Sequence, residues 1–165
     1  MPRDFNEEIV ASYFELRGYF VRMNVPYQPA EHRQDSSDID IVAVHPSDDS
    51  KCVACEVKGW HTETFTMAWW KEPNLLGFTG PAATSALKAL VGDRVVHHVL
   101  VVPPISARQR NEIQVYANER NVELLEWPRL IREMLTFVDV RRNARNPTDH
   151  LLRVLLSYRF INLDT

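Results

Sequence analysis

The chain has no apolar run near the roughly 20 residues that a membrane span needs, and its N-terminus, MPRDFNEEIV, has no apolar core of a secretory signal. Both absences point to a cytoplasmic protein with no membrane partner. There is no repeat, no low-complexity segment and no linker, so the 165 residues read as one domain over 1–165, long enough to bury a continuous core without staples. Cysteine is scarce. Cys52 and Cys55 form a lone CxxC inside a predicted strand, where positions three apart point to opposite faces. That spacing excludes a disulfide between them, and without a second CxxC a zinc site lacks ligands, which leaves two buried structural thiols. An excess of positive charge is also missing: the net charge is −3, so nucleic acid is not gripped through bulk potential. Acidic residues dominate up to Lys58 and the remainder is slightly basic, with a cluster of Arg141, Arg142 and Arg145. Such a cluster is either a solvated face or a set of phosphate contacts favoured by counterion release.

What is present has a clear order. Residues 4–17, DFNEEIVASYFELR, predict a helix with Asp4 or Asn6 as cap and Gly18 at its end. Val10, Ala11 and Phe14 form its apolar stripe, and Glu7 falls on the same stripe. That carboxylate is either turned inward, where it is costly without a partner, or it simply complements the helix dipole. A β-run over 19–25 follows, then the polar loop YQPAEHRQDSS, long enough to border a site. The stretch from Ser37 to Trp60, SDIDIVAVHPSDDSKCVACEVKGW, predicts two strands joined by a polar turn. Residues 60–81 read as an irregular, aromatic-rich excursion, in which Trp69 and Trp70 either stack on bases or pack the loop onto the core. Helices are expected over 82–91 and 105–121, the latter capped by Ser106, with a buried strand over 95–102 between them. His97 and His98 on that strand face opposite sides and read as structural. A strand VELLEW, a helix opened by Pro128 and a last helix from Pro147 to Tyr158 complete the order, the last with Leu151, Leu152, Leu155 and Leu156 as its apolar face. Mixed strands followed by β-α-β units predict an α/β sandwich, with helices on both faces of a mixed sheet.

The hairpin carries the chemistry. Asp38, Asp40 and Val42 share one face of the first strand by the period of two, and Ala54, Glu56 and Lys58 share one face of the second. A register that joins those faces brings Asp40, Glu56 and Lys58 to one end of the sheet. Two carboxylates on a rigid sheet make a hard-oxygen site suited to Mg²⁺ or Mn²⁺, with the Val57 carbonyl as a further oxygen. Such a metal activates water and neutralises phosphate charge, and Lys58 beside it stabilises the charge that develops during attack. Neighbours two apart on a strand stand about 7 Å from one another, so a simple Glu56–Lys58 pair is not expected.

An acidic residue opening one strand and an acid-x-lysine on the next, Asp40 and Glu56-Val57-Lys58, resemble the core of the PD-(D/E)XK nuclease superfamily. The wording SDIDIVAV…CEVKGW is closest to its Holliday-junction-resolvase-like and type IV restriction-enzyme-like members. Ile39 stands where the signature has proline. The resemblance spans about residues 5–137 and leaves 138–165 as a helical extension. It implies a three-layer restriction-endonuclease-like sandwich and a Mg²⁺- or Mn²⁺-dependent endonuclease acting on DNA. Asp40 and Glu56 would bind metal and Lys58 would assist water and phosphate. A glutamate on the first helix completes the site in many members, and the spacing back from Gly18 gives that place to Glu7. Members often dimerise, and the leucine face of the last helix would serve such an interface or pack on the core. The alternative is an inactive module of this fold that binds nucleic acid or a protein partner without cutting.

Overall fold

The computed structural model describes residues 4–28, 37–59, 63–72, 74–139, 143–144 and 146–158. Helix α1 (Phe5–Leu16) leads into strands β1 (Phe20–Tyr27), β2 (Ser37–Val44) and β3 (Cys52–Val57). Two short 3-10 turns, Met67–Lys71 and Gly77–Thr79, precede α2 (Pro81–Val91), β4 (Val96–Val102), α3 (Arg110–Glu119), β5 (Val122–Glu126), α4 (Trp127–Phe137) and α5 (Pro147–Ser157). The five strands form one sheet in sequence order; β1, β2 and β3 are antiparallel, and β4 and β5 continue it in parallel.

Helices cover both faces. Val10 and Phe14 of α1, Leu130 and Met134 of α4 and Leu152 of α5 pack with Ile41, Ala43, Cys55 and Val101 on one side. Ala83 and Leu87 of α2 and Ile113 and Ala117 of α3 pack with Val42, Ala54 and Leu100 on the other. The result is an α/β sandwich around a five-stranded mixed sheet. Burial on both faces is why β2, β3 and β4 are nearly continuous in apolar residues. Among the described residues no helix is long and apolar enough to cross a membrane.

Local chemistry sets the ends of the elements. The Asp4 carboxylate accepts from the Asn6 N–H at 2.8 Å and caps α1, an interaction typically worth about 1 kcal/mol. Gly92 ends α2 at a φ of 74°, where a side chain would be strained. Cys52 and Cys55 are buried free thiols. His97 is exposed, and His98 stacks edge-on against Phe78 on the α2 side.

Three expectations are corrected. Helix α3 starts at Arg110 rather than Ile105, because Ile105 bridges to Phe65 and the Ser106 N–H donates to the Phe65 carbonyl at 2.9 Å. The inward face of α5 is not a leucine stripe: Leu151 is 51 % exposed, while Asp149 and Arg153 are buried beside Leu152. The i, i+4 spacing lets the Arg153 guanidinium meet both Asp149 oxygens, at 2.7 and 2.9 Å. Third, strict alternation fails in the middle of β1 and β2. Asn24 has a φ of 52°, and the register passes from Met23↔Ile41 to Val25↔Ile39 without pairing Asn24 to Asp40. Val21 and Met23 therefore face the α1 layer while Val25 and Tyr27 face the α2 layer, and Ile41 and Ile39 divide in the same way.

Candidate active site

The crossover in β2 decides where Asp40 points. Its carboxylate does not stand on Val42's face but turns across to β3, where Oδ2 accepts the Val57 N–H at 2.6 Å. The β2–β3 ladder ends at Ile41↔Cys55, so this side chain replaces the next backbone rung and the strands fork beyond it. Val57 presents its N–H and C=O to the same side, as strand residues do. Its N–H bonds to Asp40, and the next N–H, of Lys58, donates to Val101 on the opposite side at 2.9 Å. The Val57 carbonyl thus faces the fork.

A cleft of about 280 Å³ opens there. Tyr27, Ser37, Asp38, Asp40, Glu56 and Lys58 line it from the sheet, and Glu72, Asn74 and Leu75 line it from the excursion. Glu56 and Asp40 are buried, at 7 % and 9 % exposure. The Lys58 ammonium lies 2.7 Å from Glu56 Oε1. That pair corrects the sequence expectation: β3 ends at Val57, and a four-carbon stem spans the separation of alternate residues. Asp40, Glu56 and Lys58 are thus brought together.

Glu7 does not line the cleft. It sits half-buried in the first turn of α1, within electrostatic reach of Asp40, Asp4 and Asp38. Trp69 and Trp70 are half-buried on the first 3-10 turn, each with its ring 5.5 Å from that of Phe65, and Trp70 also lies 4.9 Å from Tyr116. They pack the excursion onto the core, and Trp69 also walls a shallow hollow with Gly59 and Glu72. Arg141, Arg142 and Arg145, and residues 29–36 of the polar loop, lie outside the described residues.

Electrostatics set this cleft apart. Burial, then the Asp40 charge, pushes Glu56 up to about 8 despite Lys58. Burial raises Asp40 to about 6, opposed by the Val57 N–H and by Lys58. Burial and the Asp40 charge raise Glu7 to about 7. Burial also works against the charge of Lys58, yet Glu56 and Asp40 together hold its pKa above the ordinary lysine value. Among the described residues, three carboxyls that resist ionisation stand around a single ammonium and are short of positive charge.

Among the described residues no three histidine, cysteine or carboxylate side chains are grouped closely enough to hold a metal ion by themselves. Mg²⁺ does not demand such a cage; it keeps several waters and takes one or two carboxylates together with substrate phosphate. Asp40, Glu56 and the Val57 carbonyl are a donor set of that kind, and a cation there would relieve the repulsion that raises the carboxyl pKa values. Sequence reasoning singled out none of Tyr27, Ser37, Glu72 and Asn74, although Tyr27 and Ser37 are the ends of the polar loop expected to border a site. Asp38 was visible as the period-two neighbour of Asp40, whereas the others depend on a register and an excursion with no periodic signal. Compared with protein-family models, curated proteins and solved structures, the chain matches none.

Lys58 is followed by a constrained turn. Gly59 has a φ of 76°, and a Cβ there would lie 2.5 Å from Pro103 and 3.0 Å from the Trp69 ring. Only glycine satisfies both the conformation and the space.

Proposed function

We propose that the chain is a divalent-metal-dependent endonuclease that hydrolyses phosphodiester bonds in DNA in the cytoplasm, with a restriction-endonuclease-like fold. The observation that carries this reading is the meeting of Asp40, Glu56 and Lys58 where β2 and β3 fork. Asp40, Glu56 and the Val57 carbonyl would hold Mg²⁺ or Mn²⁺, which supplies an acidified water and neutralises phosphate charge. Lys58 donates to a phosphate oxygen or to the attacking water, and Glu56 aims its ammonium. Asp40 keeps the fork open through the Val57 N–H. Glu7 adds negative charge next to Asp40 and strengthens the preference for a cation.

The direct test is incubation of the purified protein with supercoiled plasmid and with branched DNA, in Mg²⁺, in Mn²⁺ and with chelator. Metal-dependent cleavage that disappears in Asp40→Ala and in Lys58→Ala is expected. Cleavage that survives either substitution would sink this assignment of roles.

A second reading is a module of the same architecture that binds nucleic acid or a protein partner without cutting. The observation in its favour is that Glu56 is already paired to Lys58 in a chain of net charge −3. Calorimetry separates the two: no Mn²⁺ binding, together with DNA binding that is intact in Glu56→Gln, supports the binding module.

A further inference from the structure

A carboxylate-rich cleft needs hydrogen-bond donors before it can receive a phosphodiester, and Lys58 is one group already engaged by Glu56. The opposite wall offers another. Tyr27 is the last residue of β1, cross-strand from Ser37, the first of β2. Because the strand pair crosses over at Asn24, its ring is buried in the α2 layer at 9 % exposure while the residue still lines the cleft. Ser37 stands beside the phenol across the strand pair. A hydroxyl has one hydrogen to give, and from the lining of the cleft the phenol can turn that hydrogen toward an incoming acceptor. The phenol lies so close to the backbone of the excursion that a Cβ on Gly77 would come 2.6 Å from its oxygen. Gly77 is held in turn by its N–H to the Asn74 carbonyl at 2.9 Å, and Asn74 also lines the cleft.

We propose that the Tyr27 hydroxyl is a phosphate-binding donor that meets a non-bridging oxygen of the nucleic-acid backbone from the wall opposite Lys58, in a seat kept open by Gly77. This rests on the reading of the cleft as a phosphodiesterase site. Burial and the nearby Glu56 charge keep the phenol protonated well above neutrality, so the donor is present wherever the protein would work. A donor aimed at that oxygen acts most strongly as charge builds on it.

The experiment combines Tyr27→Phe, Gly77→Ala and the double variant. Tyr27→Phe keeps the buried ring, so unchanged melting and unchanged Mn²⁺ binding by calorimetry are expected. Cleavage at saturating DNA should fall about 10- to 100-fold, at or below the usual loss of one oxyanion donor. With Ca²⁺ in place of Mg²⁺, binding of a single-stranded dodecanucleotide should weaken at least about fivefold. Gly77→Ala should reproduce the loss in the native background and add little in the Tyr27→Phe background, where no oxygen is left to strike. Cleavage and binding by Tyr27→Phe within about twofold of native overturn the proposal, as do additive effects in the double variant. If the native protein binds but does not cut, and Tyr27→Phe binds more weakly, the phosphate donor stands while hydrolysis fails. If the native protein neither cuts nor binds, both are overturned.

Discussion

Two carboxylate–cation pairs in this fold look alike on paper and behave oppositely. At the end of β5, Glu126 takes Arg110 at 2.6 and 3.0 Å and accepts the Ile105 N–H at 2.8 Å. Its pKa is lowered, chiefly by Arg110. At the end of β3, Glu56 has Lys58 at 2.7 Å, yet its pKa is raised to about 8. The difference lies in burial and company. Glu126 is partly open to solvent and has two donors of its own, whereas Glu56 is buried and, among the described residues, shares one ammonium with Asp40. A satisfied pair holds a loop in place; an under-supplied one is ready to take another positive group.

Substitution should separate the two pairs most sharply in cleavage. Lys58→Ala and Asp40→Ala are each expected to lower cleavage by about 10³-fold or more, as expected for groups at developing charge, while Arg110→Gln leaves the rate within about twofold. A plasmid-nicking assay decides this, and a strong loss of rate in Arg110→Gln would break the comparison.

The pH response comes next. Groups whose folded pKa is raised bind more protons in the folded state, so their contribution to stability is present below the unfolded pKa and is lost as pH rises through the folded value. For Asp40 (about 6), Glu7 (about 7) and Glu56 (about 8), that loss begins near the unfolded aspartate value of 3.8 and runs to just above pH 8. Glu126 has the opposite sign: its pKa is lowered, and its contribution is present at neutral pH and lost in acid. Between pH 6.5 and 8.5, above the range where the lowered His98 titrates, chelated protein should lose several degrees of melting temperature, on the order of 1–2 kcal/mol. Millimolar Mn²⁺ should recover it by mass action. Melting that rises with pH over this window would remove the claim that the cleft is short of positive charge.

Smaller effects sharpen the contrast. Arg110→Gln should cost about 0.5–1 kcal/mol in urea unfolding, because the guanidinium is solvated and screened. On α5, Leu152→Ala should cost about 2–3 kcal/mol, whereas Leu151→Ala should stay within about 0.5 kcal/mol. Equal losses at the two leucines would contradict the face assigned to that helix.

The sequence was most readable where periodicity and local chemistry agree. The element order holds in the structure, and of the two caps offered, Asp4 and Asn6, it is Asp4 that closes α1. Asp40, Glu56 and Lys58 meet at the expected end of the sheet, but Asp40 gets there by crossing to β3 rather than by alternation. It was unreadable where one residue resets the pattern. Asn24 in a left-handed conformation carries no hydrophobic signal, yet it turns Tyr27 and Ile39 to the other layer and sends Asp40 across to Val57. The same limit applies to Asp149 and Arg153: at i, i+4 they can be buried as a matched pair, and a stripe of four leucines outweighed them on the page. Glu72 and Asn74 reach the cleft from a segment of irregular backbone, where no period exists to be read.

The turn after Lys58 has a further consequence, for inheritance rather than energy. Gly59, Pro103 and the Trp69 ring occupy one another's space, so the lysine, the end of β4 and the aromatic excursion form a single unit of variation. A relative of this chain with a side chain at the position of Gly59 would need a different residue at Pro103 or a displaced β4 end, together with a shifted Trp69 ring, and a graft of the β2–β3 hairpin into another sheet would have to leave room at both places.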